Sequence, residues 1–314
     1  MKICIIYVIF VEEENRKRVL ITGGAGYVGQ VLLGEIPKNW KTTVIDNVYV
    51  GNDNFIPNKN VEFVKGDIRD KNLMKDLIEK NDAVIHLAGI VGDSCPINPK
   101  SAEEINVDAT ENIAKFCNDL KKRLVFMSTC SVYGFNDNTC NEKTEPNPLN
   151  AYSHHKVLGE KVIKDNLDNC LIFRMGTVYG WSPKMRFDLG INLFIEKSLW
   201  DEKIQVFGGN QWRPLIHVKD ASRALIMGVE KSDINTTLNL VGENHLILDI
   251  AKKISNNVEV VDYKDDNRSY KVDNSRILNE LKWSPKMNVL SAKNEFKKIE
   301  YQKDVYYNKR WNYN

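Results

Sequence analysis

From Arg18 onward, short runs of β-branched and aliphatic residues alternate with longer polar stretches that carry apolar residues at helical spacing. The runs Val19–Thr22, Thr43–Asp46, Val61–Lys65, Ala83–Leu87, Leu124–Ser128 and Cys170–Arg174 predict strands. The segments between them, such as the one bearing Leu73, Leu77 and Ile78, predict helices. This alternation predicts an α/β fold, a doubly wound parallel sheet with helices on both faces. Ligands of such sheets bind beyond the carboxyl ends of the strands. After Gly180 the rhythm gives way to irregular loops, aromatic residues and short elements. The expected division is an N-terminal extension over 1–17, a sheet domain over 18–180, and a smaller C-terminal lobe over 181–314. The apolar stretch Leu238–Val241 is expected to return to the sheet.

Composition narrows the classes. With 314 residues, 42% hydrophobic and 27% charged, the chain can bury a sizeable core. Its net charge of +2 argues against a nucleic-acid partner, which would call for a far more basic protein. Cysteines 4, 95, 117, 130, 140 and 170 are scattered, without the short paired spacings of a zinc site or a disulfide scaffold. No metal is expected, and a reducing cytoplasm fits best. Ile3–Val11 is apolar, but it is too short to cross a bilayer and runs into Glu12, Glu13 and Glu14. It reads as an extra strand or as an extension upstream of the true start, and no membrane partner is expected. The tail Tyr301–Asn314 reads as a surface segment.

Gly23, Gly26 and Gly29 fall in a GxxGxxG frame between a predicted strand and a predicted helix, with Gly24, Ala25, Tyr27 and Val28 between them. Glycine is needed where the backbone turns tightly and approaches a pyrophosphate, and the helix N-terminus adds amide donors. Asp46 ends the next strand, where a carboxylate accepts from ribose hydroxyls and repels a 2′-phosphate. NAD is therefore expected over NADP. Asp67, followed by Ile68, either accepts from the adenine amino group or forms a turn.

Tyr152 and Lys156 stand one helical turn apart in Tyr152-Ser153-His154-His155-Lys156. A phenol titrates at about 10 in water. A neighbouring ammonium and a nicotinamide cation both favour phenolate, bringing it towards use as a base. Alone, such a pair is more often a surface pair on an amphipathic helix. Its context is the hydroxyl-rich segment Ser128-Thr129-Cys130-Ser131-Val132-Tyr133-Gly134, which follows the fifth strand.

The glycine loop, Ile85-His86-Leu87-Ala88-Gly89, the Ser-Thr-x-Ser-Val-Tyr-Gly segment and YxxxK occur in this order from about Arg18 to about Trp283. In this the chain resembles the extended short-chain dehydrogenase/reductase family of nucleotide-sugar epimerases and dehydratases, similar to UDP-glucose 4-epimerase. The resemblance implies a Rossmann-type domain with NAD as cofactor and a nucleoside-diphosphate sugar as substrate. It implies that Tyr152 is the general base, Lys156 the ribose-binding lysine and Thr129 the hydroxyl that orients the sugar carbinol. Gly23, Gly26, Tyr27, Val28, Asp46, Asp67, Ile68, Leu87 and Ala88 would border the cofactor, together with Tyr152 and Lys156. A homodimer packed through helices around Lys100–Cys117 and Tyr152–Lys164 is also implied.

Family 4,6-dehydratases carry Thr-Asp-Glu before Val-Tyr-Gly, whereas this chain has Cys130 and Ser131 at the last two positions. Serine is a poor base for a sugar carbon acid, so dehydration loses favour. Cys130 is either an acid–base group or inert packing. His154 and His155 are expected to face solvent or to pack, and Asn106 matches a family asparagine that helix structure explains equally well. In the lobe, Trp212-Arg213-Pro214-Leu215-Ile216-His217-Val218-Lys219-Asp220 resembles the family's Arg-x-x-Ile-His-Val-x-Asp motif, whose arginine grips the diphosphate bidentately. Asn192 matches a diphosphate-contacting asparagine, Arg268 is a second candidate clamp, Asp220 is expected to orient the local turn, and Phe207 either flanks the nucleotide base or lies in the core. Ser182-Pro183-Lys184-Met185-Arg186-Phe187-Asp188-Leu189 departs from the best-known 4-epimerases and resembles a subgroup that includes 4-dehydrogenases. The expected activity is nucleotide-sugar 4-epimerisation or 4-dehydrogenation. The rival readings are a 4,6-dehydratase, an NADPH-dependent carbonyl reductase and a dinucleotide sensor without turnover.

Overall fold

The computed structural model describes residues 16–49, 61–262 and 268–297. Its centre is a seven-stranded sheet of β1 (Arg18–Thr22), β2 (Lys41–Asp46), β3 (Val61–Lys65), β4 (Ala83–His86), β5 (Arg123–Thr129), β6 (Cys170–Met175) and β7 (Thr237–Leu240). The spatial order is β3-β2-β1-β4-β5-β6-β7, and every pairing is parallel. This is the Rossmann-type arrangement, with the order reversing between β1 and β4 and a crevice at their carboxyl ends. Inner strands such as β4 and β6 are buried along their whole length, as covered parallel strands must be. Edge strand β3 has no fully buried residue.

Helices α1 (Tyr27–Glu35) and α5 (Val218–Glu230) cover one face, while α2 (Lys71–Glu79), α3 (Ala109–Asp119) and α4 (Ala151–Asn166) cover the other. Their ends are set by local chemistry. The Asp70 carboxylate accepts from the amides of Asn72 and Leu73 to start α2. Asn150 and Ser153 form a reciprocal capping box that starts α4 just before Tyr152.

The expected strands are all present, with shifts at their ends. β5 extends one residue further at each end than the apolar pattern predicts, because polar Arg123 is buried and satisfied. Its guanidinium donates to the carbonyls of Gly228, Lys231 and Ile234 and to the side chains of Asn169 and Asn235. β7 brings the chain back to the sheet from beyond Gly180, pairing with β6. In the other direction, Phe135–Cys140 leaves the sheet region to pair with Ser269–Val272. A three-stranded sheet of Thr177–Tyr179, Trp212–His217 and Glu243–Leu246 and the paired strands Ile204–Phe207 and Val258–Val261 make up the rest of the lobe. Asp220 serves a distant turn in place of the local one expected of it. Its carboxylate accepts from the amides of Lys286 and Met287, at 3.0 and 2.9 Å. The apolar Ile3–Val11 segment and the tail lie outside the described residues. Among the described residues, no helix is long and apolar enough to cross a membrane.

A buried ion pair fixes α4 against the sheet. Glu160 lies two turns after Tyr152, and its carboxylate takes Arg174 of β6 at 2.8 to 3.2 Å and the Ser128 hydroxyl at 2.6 Å. Burial alone would raise the Glu160 carboxyl, but these bonds outweigh it and hold the group below its ordinary range. Its contribution to stability is therefore complete above the usual glutamate pKa and is lost as pH falls through the lowered folded value. Arg174→Ala strips the carboxylate of its buried partner, leaving the Ser128 hydroxyl and the half-exposed Lys164 at 3.5 Å, and should cost about 3–5 kcal/mol in urea denaturation at neutral pH. The loss should narrow when the measurement is repeated in acid.

Candidate active site

Gly23 turns the chain out of β1 with φ of 72°, a left-handed value that glycine adopts without penalty. A Cβ on Gly23 would lie 2.6 Å from the backbone nitrogen of Ala88, so the loops leaving β1 and β4 meet backbone to backbone. Gly26 is the N-cap of α1, where no side chain caps the helix and no acidic residue occupies the first turn. Amides at such an end are open to an anion. Asp46, at the end of β2, accepts from the amides of Ala25 (3.0 Å) and Val48 (2.8 Å), which orient its carboxylate beside the glycine turn. Burial pushes this carboxyl up, against the two amides and the charge of Lys184. A glycine turn closed to any Cβ, an uncapped helix end and an oriented carboxylate together fit a dinucleotide.

The other expected cofactor residues divide by side chain. Leu87 and Ala88 follow β4 at the crevice, where the Ala88 amide donates to Thr22 Oγ1 at 3.2 Å. The side chains of Val28 and Ile68 pack into the apolar clusters against the sheet, which leaves their backbones for any contact with a cofactor. The Tyr27 phenol likewise turns away, donating to the Gly180 carbonyl at 2.6 Å. Asp67 takes the turn-forming alternative. It accepts from the amide and guanidinium of Arg69, the main reason its pKa is lowered, and Arg69 also pairs with Glu104.

On α4, Tyr152, Lys156 and Glu160 share one face. The Lys156 ammonium donates to the Met127 carbonyl at 2.9 Å and lies 4.6 Å over the Phe126 ring. It is 6.0 Å from the centre of the Tyr152 ring. A Cβ on Gly89 would come within 3.8 Å of it, so the ammonium faces the loop after β4. Burial lowers Lys156 to about 8, with Glu160 and Cys95 opposing. Burial pushes the Tyr152 phenol up to about 12, against the charge of Arg186 and a hydrogen bond from Thr129, while Cys95 adds to the rise. The main charge opposing that rise is Arg186, a residue the pattern of tyrosine and lysine did not single out, itself paired with Asp188.

Thr129 ends β5, with its hydroxyl 2.9 Å from the Ser131 hydroxyl and accepting from the Ser131 amide. Cys130 faces the other way. Fully buried, it donates to the Arg174 carbonyl at 3.1 Å, and burial raises its thiol well above the ordinary range. Such a thiol offers the crevice neither acid nor base. His154 is exposed and His155 buried, in keeping with solvent and packing roles.

Beneath the crevice lies a polar layer the sequence reading did not assemble. His86 is wholly buried between the hydroxyls of Thr22 (2.6 Å) and Thr110 (3.0 Å). Burial and the charge of Lys156 lower it to about 3, so it stays neutral. Asn106, in a π-helical turn over Glu104–Asp108, holds both the amide and the carbonyl of Ile90 at 2.8 Å. It fixes the loop after β4. Polar residues at strand ends were the available signal, but their partners lie far away in sequence.

In the lobe, Arg213 donates to the carbonyls of Trp212 and Arg268, so the two expected clamps are brought together. Lys271 lies 5.2 Å over the Trp212 ring beside them. Phe207 is 52% exposed, which rules out a core role. Asn192 lies in the interior. It is fully buried, with its oxygen accepting from the Gly180 amide and its nitrogen donating to the Tyr27 hydroxyl and the Arg186 carbonyl. Its amide positions the loop between Gly180 and Arg186.

A sequence profile of the NAD dependent epimerase/dehydratase family matches residues 19–240. A putative UDP-glucose 4-epimerase of Methanocaldococcus jannaschii is 35% identical, over 67% of this chain and 73% of its own. A UDP-N-acetyl-alpha-D-glucosaminuronate decarboxylase of Bacillus cytotoxicus is 31% identical, over 76% of this chain and 79% of its own. The solved structure of a UDP-N-acetylglucosamine 4-epimerase from Methanobrevibacter ruminantium shares the fold, with a TM-score of 0.81 at 24% identity over 91% of this chain and 99% of that one.

The depressed value of Lys156 means that the folded chain resists carrying this ammonium. Lys156→Met should therefore stabilise the protein at pH 7 by roughly 1–3 kcal/mol in urea denaturation, even as activity falls. Wild-type stability should rise with pH between about 8 and the ordinary lysine range, because the unfolded chain there binds the extra proton. Stability of the variant should lack that rise.

Proposed function

The chain belongs to the NAD dependent epimerase/dehydratase family, and on that premise we propose that it is a nucleotide-sugar 4-epimerase or 4-dehydrogenase. The observation that carries this reading is the convergence of Thr129, Tyr152 and Lys156 at the carboxyl end of β5, beside the crevice where Gly23 meets Ala88. NAD, when bound, supplies the hydride acceptor and a positively charged ring.

Thr129 holds the sugar carbinol by its hydroxyl. Tyr152 Oη removes the carbinol proton as hydride leaves the same carbon. Lys156 binds the ribose and keeps a positive charge near the phenol, and Arg186 adds a second. Arg213 and Arg268 hold the diphosphate of the sugar nucleotide. With NAD bound, return of hydride to the other face of the sugar would give epimerisation, and release of the reduced cofactor would give net oxidation.

The rival readings fare worse on particular residues. Elimination of water lacks its acid and base, because Cys130 is turned into the core and position 131 is serine. Use of NADPH is opposed by Asp46 at the ribose position, and a sensor without turnover has no need of both Tyr152 and Lys156. We place the enzyme in the cytoplasm as a homodimer packed through the helices around Lys100–Cys117 and Tyr152–Lys164.

The test is incubation of the protein and NAD with UDP-, GDP-, CDP- and dTDP-sugars, reading nicotinamide absorbance and product stereochemistry. An inverted sugar C4 marks the epimerase, and a 4-keto product with stoichiometric reduced cofactor marks the dehydrogenase. Loss of water or of carbon dioxide from the product, or no product from any sugar, overturns both. Tyr152→Phe should lower kcat by about 10²–10⁴-fold. Unchanged turnover would remove Tyr152 from the mechanism.

A further inference from the structure

The segment after β6 does more than link the two parts of the protein. Gly180 to Arg186 is fastened to the first residue of α1 from several sides. The Tyr27 hydroxyl donates to the Gly180 carbonyl at 2.6 Å, and the Ser182 hydroxyl donates to the Tyr27 carbonyl at 2.8 Å. Asn192 ties the Tyr27 hydroxyl to the Arg186 carbonyl, at 3.1 and 3.0 Å. Ser182 Oγ also accepts from the amide of Lys184 at 3.2 Å. The backbone of Lys184 is thereby held within two hydrogen bonds of Tyr27, the residue that follows Gly26.

We propose that Lys184 is a cofactor-binding residue supplied by the second lobe, its ammonium closing on the diphosphate of NAD over the amino-terminal turn of α1. The inference rests on the functional reading above, since it assumes that this crevice takes a dinucleotide.

Three observations carry it. The ammonium stands near enough to Asp46 for each to act on the other's charge, and Asp46 is itself held by the Ala25 amide of the glycine turn. The hydrogen bonds agree, since the Lys184 amide donates to Ser182 Oγ, which itself donates to the carbonyl of Tyr27, the residue after Gly26. Second, among the described residues no ion pair engages the Lys184 side chain, which is half-buried. Third, the N-terminus of α1 offers amides but no charged side chain. A diphosphate beside Asp46 adds negative charge to a carboxylate that already lies close by. Partial charges at a helix end offset only part of that repulsion. A lysine point charge, on a flexible stem and free to follow the phosphates, supplies the remainder.

The arrangement also explains why this loop is pinned so firmly. A cation on a loose loop would lose much of its effect to the entropy of ordering it. Here the backbone on both sides of Lys184 is fixed before the ligand arrives.

The experiment measures dissociation constants by calorimetry for the wild-type chain, Lys184→Met and Lys184→Gln, each with NAD, ADP-ribose, ADP and adenosine. Both substitutions keep the stem of the side chain and remove the charge. The expected result is about tenfold weaker binding of NAD, ADP-ribose and ADP, with adenosine unchanged and a shallower salt dependence for NAD. Equal affinity of variants and wild type for NAD overturns the assignment. So does an equal loss for adenosine, which would mean that Lys184 acts only through Asp46. A larger loss for NADP than for NAD would move the ammonium to a 2′-phosphate and overturn the diphosphate placement. A wild-type chain that binds neither NAD nor ADP-ribose overturns the functional reading itself, so the two failures are distinct.

Discussion

The site depends on keeping one ammonium charged while taking it out of water. Lys156 is buried with only a carbonyl and an aromatic face in close attendance. The carboxylate nearest along its helix, Glu160, is bound to Arg174 and Ser128 and so does not collapse onto it. This arrangement costs stability, as the depressed Lys156 value indicates. Apolar burial on both faces of the sheet covers that cost, since each large aliphatic or aromatic core side chain contributes about 1.5–3 kcal/mol.

Other features support the same helix. The capping box at Asn150 sets where α4 begins, and therefore the height of Tyr152 above the sheet. Gly159 lets α4 approach closely, because a Cβ there would press on the Phe126 ring at 3.3 Å. Phe126 in turn carries the Lys156 charge on its face. Below them the neutral His86, clamped by Thr22 and Thr110, joins the ends of β1 and β4 without adding a competing cation.

The fold was legible because covered parallel strands leave an almost unbroken apolar signature, and β4 and β6 carried it clearly. The strand-to-helix glycine turn, and the placing of Tyr152 and Lys156 one turn apart on α4, were legible as well, since both follow from local spacing. Residues whose role depends on distant partners were not. Arg123 looks like a solvent residue until carbonyls far along the chain are seen around it. Asn192 carries the right side chain for a phosphate contact, yet its donors and acceptor are spent on Tyr27, Arg186 and Gly180. Ile68 and Val28 sit within cofactor motifs, but side-chain direction, which a motif does not encode, sends them into the core. Nor did the sequence reveal that Ser182 and Tyr27 would join the two parts of the molecule.

β7 has a further consequence for how the protein can be taken apart. It enters the sheet only after the chain has passed through much of the smaller lobe, and it covers β6 from Ile172 to Met175. Cutting the chain at Gly180 would strip β6 of that neighbour and bare a hydrogen-bonding edge prone to self-association. The lobe is thus no detachable module. During synthesis the nucleotide-binding half must wait for residues beyond 236 before its sheet can close, and chimaeras that exchange the lobe would have to splice on both sides of β7.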